Sequence, residues 1–312
     1  MIMTTIAVVI LASCRHKELC YDHPHGMEVN VVFDWSEAPD ATPETMSLYL
    51  FPLEGGEPLR YEFTDCSGGI IKVPVGRYHA MCLNSSTENV SYRNMSQLKT
   101  FEVISKEAAL LGELSSVVTR SETAPRAEGT EDQRVALAPN QLWSDYQESI
   151  ELKEIEGQEI RLQPLLSTSK CTIEILNAEN LDGVIAMSGA LTGTSESLFP
   201  GHGCDVLGEA PITIPFGVTI CSTEKKVMGE HFLFGHRPEL GYSHMLTIYA
   251  VLSDNTQWYH TYDVTEQIRT APDPRNIHIV LDGLSLPESE GGMGGFHPSV
   301  DDWQDTEVDI EM

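Results

Sequence analysis

Among the residues able to do chemistry, the cysteines and histidines are the most suggestively placed. Cys14 follows Leu11, Ala12 and Ser13 at the end of an apolar run, and the stretch Cys-Tyr-Asp-His-Pro-His brings Cys20, His23 and His25 together. The second cluster offers soft metal ligands, but a zinc site normally takes four ligands in a recognisable spacing. His202 in Pro-Gly-His-Gly-Cys and His297 in Gly-Phe-His-Pro-Ser lie among glycines, where a loop role suits them better than general-base catalysis. No G-x-S-x-G, H-E-x-x-H or phosphate-loop pattern occurs, and Asp301, Asp302 and Asp305 lack the spacing and the glycine of a calcium loop. The expectation is a chain without catalytic residues, metal or cofactor.

Cys14 has a use of its own. The apolar run of residues 1–12 is too short to cross a bilayer, which needs about 20 apolar residues. Small residues before a cysteine let an extended backbone enter a processing peptidase, and Leu11-Ala12-Ser13-Cys14 resembles a bacterial lipobox, although no Lys or Arg precedes the run. On that resemblance residues 1–13 are a signal peptide, Cys14 carries the acyl chains that hold the protein to a membrane, and residues 14–26 are a lipid-proximal tether. By resemblance to lipoprotein sorting rules, Arg15 in place of Asp implies the outer membrane. Assigning Cys14 to lipid leaves Cys20, Cys66, Cys82, Cys171, Cys204 and Cys221. Six cysteines allow fifteen pairings. Disulfides are permitted outside the cytoplasm, and Cys204 with Cys221, in neighbouring loop-like segments, is the pair to test first. Cys82 lies in a strand-like run and also reads as a small buried apolar residue.

The elements that must position these residues are strands. A chain of 312 residues with 41% apolar content buries a substantial core and more often divides into two domains than stays as one. With 19 basic and 47 acidic residues the net charge is −28, which repels a phosphate backbone and excludes nucleic acid as a natural partner. The dominant pattern is alternation with period two. Val29, Val31, Phe33 and Trp35 share one face, and "MSLYLFPLEGGEPLRYEF" reads as strand, Gly55-Gly56 turn, strand. "GGIIKVPVGRYHAMCLN" is a further strand region interrupted near residues 74–76, while "SKEAALLGEL" predicts about two helical turns capped by Ser105. Residues 119–140, rich in Ser, Thr, Glu, Pro and Gly, read as an exposed loop inside a first domain.

The strand pattern resumes in "SIELKEI" and "QEIRLQPLL", and a boundary falls near residues 167–170, where "CTIEIL" begins a second sheet. "HMLTIYAVLSDNTQWYHTYDV" gives strand, Asp254-Asn255 turn, strand, and Ile277, Ile279 and Leu281 share a face of a closing strand. The class is all-β: β-sandwich domains over residues 27–167 and 168–286, then a Gly-rich linker and tail over 287–312. In that tail Val308, Ile310 and Met312 alternate with Glu307, Asp309 and Glu311, as in a strand that could dock on another sheet or pair with its own. Trp258 and Tyr262 fall on one face of their strand and Tyr259 on the other, offering either core packing or an aromatic contact surface.

The lipobox, "KVPVGRYHAMCLN", the "LTIYAVLSDNTQWYHTYDVTEQI" hairpin, "IHIVLDGLSLP" and the Trp303 tail together resemble the fimbrillin superfamily, lipoprotein pilus subunits and accessory proteins of gut and oral anaerobes. "CYDHPHGMEVNVVFDW" and "YLFPLEGGEPLRYEF" are similar to an uncharacterised lipoprotein family within it. The resemblance implies two transthyretin-like sandwiches in series, an outer-membrane lipid as one partner through Cys14, and other fimbrial subunits as the others. It also implies processing after an Arg that removes the first strand, the groove being refilled by a C-terminal strand from another subunit, for which Val308, Ile310 and Met312 are this chain's candidate. The sequence departs from this in one respect: no Arg occurs between Arg15 and Arg60, and Arg60 lies within a strand pattern. An anchor or accessory subunit, or a standalone surface module binding a glycan or host protein, fits that departure better than a processed shaft subunit.

Overall fold

The computed structural model describes residues 26–85, 87–116, 124–203, 206–288 and 304–305. Alternation in the first half builds a sandwich. One layer has the order β10 (Gln158–Leu162), β1 (Gly26–Phe33), β4 (Gly68–Pro74). The facing layer has the order β11 (Leu165–Leu166), β9 (Trp143–Leu152), β5 (Gly76–Asn84), β2 (Met46–Pro52), β3 (Leu59–Phe63). Val29, Val31 and Phe33 from β1, Ile71 and Val73 from β4, and Ile160 and Leu162 from β10 meet Met46, Leu48, Leu50, Ala80 and Cys82 across the gap. The β2–β3 turn uses Gly55 and Gly56 at φ +90° and +126°, a region closed to most side chains. Gly68 allows the closest approach in this layer, since a Cβ there would lie 1.9 Å from the Val31 carbonyl oxygen.

The run "MSLYLF" is buried without alternation because the five-stranded layer is covered on both faces. Its outer face presents Tyr49, Phe51, Met81 and Leu83 to a small sheet of order β14 (Ser197–Leu198), β7 (Glu102–Ser105), β6 (Val90–Arg93). Phe101 anchors this second core, with its ring edge-on to Tyr49 at 5.0 Å and to Phe51 at 6.4 Å. Leu198, Leu207 and Phe234 join it from the second half of the chain.

The second half is a nine-stranded system built around a strand that changes layer. β15 (Pro211–Cys221) pairs with β13 (Val184–Ser195) along residues 211–217 and with β16 (Lys226–Leu233) along 218–221. One layer therefore runs β19 (Asn276–Ser285), β12 (Ser169–Glu179), β16, β15, and the other β15, β13, β17 (Met245–Leu252), β18 (Gln257–Asp263), β20 (Gln304–Asp305). Such sheet-switching makes the corner of a sandwich. Ile173, Ile175, Leu191, Ile248, Trp258, Ile277 and Ile279 fill its core. Phe216 lies at the crossing, where a Cβ on Gly189 or Gly229 would come within 2.3 or 2.6 Å of its ring. α1 (Thr265–Arg269) follows β18 and buries Ile268.

Two expectations need correction. The segment after Ser105 is not a two-turn helix: Ser105 ends β7, and the helical content is a 3-10 turn at Gly112–Ser116. Its backbone groups are used between segments instead, Lys106 N–H donating to Asn89 O, Ala108 N–H to Val135 O, and Lys106 O accepting from Leu137. Leu111 and Leu114 pack against Ala190, Tyr249 and Val251, so tertiary burial overrides a modest helix propensity. The expected exposed loop of 119–140 is, over its described residues 124–140, docked on the second-half sheet. β8 (Arg134–Val135) pairs in parallel with Ile212 and Thr213 of β15. Arg126 donates to the carbonyls of Glu131 and Gln133, and Ala127, Thr130 and Ala136 are buried. Polar composition misled here because the segment satisfies its own backbone by side-chain hydrogen bonds.

Candidate functional site

β1 is the central strand of its three-stranded layer, with a neighbour on each side. It is antiparallel to β4 from Gly26↔Pro74 to Val32↔Gly68 and parallel to β10 from Val29↔Gln158 to Phe33↔Leu162. Val29, Val31 and Phe33 are fully buried, each worth about 1.5–3 kcal/mol of apolar burial. Without β1, a trough lined by Ile71, Val73, Ile160 and Leu162 would open between two unpaired strand edges.

A latch follows the strand. Asp34 N–H donates to Leu162 O at 2.8 Å, and Trp35 Nε1 donates to Cys66 O at 2.7 Å while its ring meets Trp143 edge-on. Hydrogen bonds from Ser36, and then from Arg161 at 3.2 Å, hold the Asp34 carboxyl below the usual carboxylate range. The connection to β2, residues 34–45, contains neither Arg nor Lys. Arg60 lies in β3 opposite Tyr49, with its guanidinium on Glu62 at 2.5 Å.

In the second half, β18 carries the three aromatics marked in the sequence. Trp258 and Tyr262 point into the core, 0% and 5% exposed, and Tyr262 Oη donates to Gly283 O at 3.0 Å. Burial pushes the Tyr262 phenol well above its ordinary pKa. Tyr259 is half-buried on the opposite face beside Ala190 and Tyr249. These residues pack the protein and form no exposed aromatic surface. Gln304 and Asp305 of β20 pair in parallel with Trp258 and Tyr259. Val308, Ile310 and Met312 lie outside the described residues.

Cys14, Cys20, His23, His25, Cys204 and His297 also lie outside them. Among the described residues Cys66, Cys82, Cys171 and Cys221 form no disulfide with one another, and the expected Cys204–Cys221 pair has one member outside them. Burial raises the Cys82 thiol well above its ordinary pKa and the Cys171 thiol to about 12, so both behave as small apolar groups. His202 is exposed, with Nε2 3.0 Å from Lys99 O. Among the described residues no group of three or more His, Cys, Asp or Glu is arranged to hold a metal, and no helix is long and apolar enough to cross a membrane.

Sequence reasoning missed a cleft of about 390 Å³ between the β2–β3 turn and residues 96–99, with Phe51, His79, Gln97 and Lys99 in its wall. Lys99 Nζ reaches Glu148 at 3.0 Å and Gly201 O at 2.9 Å and lies 4.7 Å from the Tyr146 ring centroid. The unbroken apolar run of β2 was the available signal that its outer face, which leads into this cleft, is covered.

A family described as a domain of unknown function (DUF5119) matches residues 13–217. A Bacteroides ovatus protein provisionally named fimbrium anchoring subunit Fim4B is 24% identical over 330 aligned positions, which cover 95% of this chain and 93% of that protein. The crystal structure of a provisionally assigned adhesin from Bacteroides ovatus is similar at a TM-score of 0.60 and 22% identity, covering 89% of this chain and 100% of the other. A provisionally assigned polysaccharide binding protein from Bacteroides thetaiotaomicron gives a TM-score of 0.52 at 10% identity, covering 81% and 90%. These two structural likenesses concern the fold, and the all-β sandwich architecture is common to them.

Proposed function

This chain belongs to the DUF5119 family, and we propose from that premise that it is a lipid-anchored outer-membrane subunit that anchors a fimbrium while keeping its own first strand. The observation that carries the reading is the position of β1: paired on both sides, latched by Asp34 and Trp35, and followed by a connection with no basic residue to cut. A subunit in that state has no open groove, so it cannot accept a donor strand and terminates a chain of strand exchanges. The name of the Bacteroides ovatus relative, a fimbrium anchoring subunit, supports the same reading.

In this proposal residues 1–13 are removed, Cys14 carries the lipid, and residues 14–26 tether the first sandwich to the membrane. The sandwiches divide near residue 167. Val308, Ile310 and Met312 supply the alternating side chains through which the tail joins a neighbouring subunit, main-chain hydrogen bonds giving the affinity.

The test is to label cells with an alkyne-bearing palmitate analogue, extract the protein from the outer membrane, and measure the intact mass of wild type and Cys14→Ala. The expected wild-type product starts at an acylated Cys14 and still contains residues 26–33, and Cys14→Ala carries no label. A mature chain starting beyond Phe33 would overturn the anchor reading, and label retained by Cys14→Ala would overturn the lipid assignment.

A further inference from the structure

The edge strands show how this protein treats exposed backbone. Among the described residues β19 is the outer strand of its layer, paired on one side only, in parallel with β12. On its open side stands α1, and Gln267 of α1 makes two hydrogen bonds to one residue. The Val280 N–H donates to Gln267 Oε1 at 2.9 Å, and Gln267 Nε2 donates to Val280 O at 3.1 Å. A primary amide offers the same donor and acceptor as a peptide group, so Gln267 stands in for one rung of a β-ladder at the middle of the edge. Val280 itself is 41% exposed, and Met228, 38% exposed, lies in the same outward row across Glu174. An edge of this length with exposed apolar residues beside it is a template for another strand.

The sequence of β19 identifies which strand would fit. If two copies of the strand are laid antiparallel with Val280 opposite Val280, His278 of each falls opposite Asp282 of the other. An imidazole N–H then faces a carboxylate on both sides of the two-fold axis. Both side chains are exposed, and in pairing they would exchange their present partners, His278 Nε2 now lying 3.6 Å from Glu174 Oε2 and Asp282 Oδ1 accepting from Asn177 Nδ2 at 2.6 Å. A self-complementary edge of this kind generates a closed, isologous pair. We propose that the β19 edge is a latent interaction surface for a second copy of this chain, and that Gln267 keeps it shut. The proposal does not depend on the anchoring role.

The test uses the soluble chain from Arg15, as wild type, Gln267→Ala, Gln267→Met and the double variant Gln267→Ala with His278→Asp. Gln267→Met keeps the side-chain length and removes both hydrogen bonds, and circular dichroism checks that each variant is folded. The expected result is that the two single variants exchange the Val280 amide at least tenfold faster at low protein concentration and form dimers as concentration rises, seen by light scattering after gel filtration. The double variant, which sets a carboxylate at position 278 against Asp282 of the other copy, returns to monomer. Single variants that stay monomeric at concentrations where wild type is monomeric would overturn the proposal. So would dimers that persist unchanged in the double variant, because those would use another surface.

Discussion

His231 sits in β16 with no exposed route for its ring. It stacks on Phe216 at 4.5 Å with 19° between planes, and neither ring nitrogen has a hydrogen-bond partner among the described residues. Burial lowers its pKa from 6.5 to about 4, so protonation favours the unfolded chain. The contribution to stability is full above pH 6.5 and is lost as the pH falls from there through about 4, reaching about 3 kcal/mol. His244 is shifted to about 4 as well, mainly by burial, and adds to the same window. Thermal unfolding of His231→Phe from pH 7.5 to 4 is expected to show a shallower loss than wild type, with the residual slope set in part by His244. Equal slopes would mean that His231 is protonated without unfolding. The residue types around His231 carry no hint of this, because nothing in "GEHFLF" says which neighbours its ring will meet.

β1 shows how much of one element a sequence carries. Its alternation was legible from Val29, Val31 and Phe33, and the structure buries all three. Its place between β4 and β10 was not legible, since parallel pairing with β10 joins residues more than 120 positions apart. A strand held on both sides should survive a cut in the chain that follows it. Asp40→Arg places an Arg at an exposed position in the connection. Cleavage there by an Arg-specific protease is expected to leave β1 bound, so that native mass spectrometry reports the intact mass while denaturing mass spectrometry reports two pieces. Spontaneous loss of β1 from the nicked protein would show that the slot is exchangeable without help. Residues 124–140 teach the converse: a segment whose composition reads as loop becomes structural when Arg126 and β8 find β15 as a partner.

The two halves are joined by more than the connecting chain. β14 of the second half pairs with β7 of the first, β8 pairs with β15, and Phe101 shares a core with Leu198 and Phe234. At that junction Arg93 binds Glu102 through two hydrogen bonds of 2.7 and 3.0 Å, and Arg134 binds Glu196 at 3.2 Å. Glu102 is 6% exposed, so Arg93→Ala would leave a buried carboxylate without its counter-ion. The expected cost is about 1–3 kcal/mol, part of the loss being relieved because Arg93 itself is half-exposed. Calorimetry should show wild type melting in one transition and Arg93→Ala melting earlier. A variant with unchanged melting would remove this pair from the junction.

The residues alone determined the all-β class, the hairpins at Gly55-Gly56 and Asp254-Asn255, and which face of β1, β18 and β19 is apolar. Period-two alternation and turn chemistry are local, so a single sequence carries them. Only the tertiary structure decided that β1 is a central strand, that β15 passes between two layers, that β2 is covered on both faces, and that Gln267 closes the edge of β19. Each of those depends on backbone hydrogen bonds or packing between distant residues. A strand pattern records which face is buried, but it does not record which strand lies beside it.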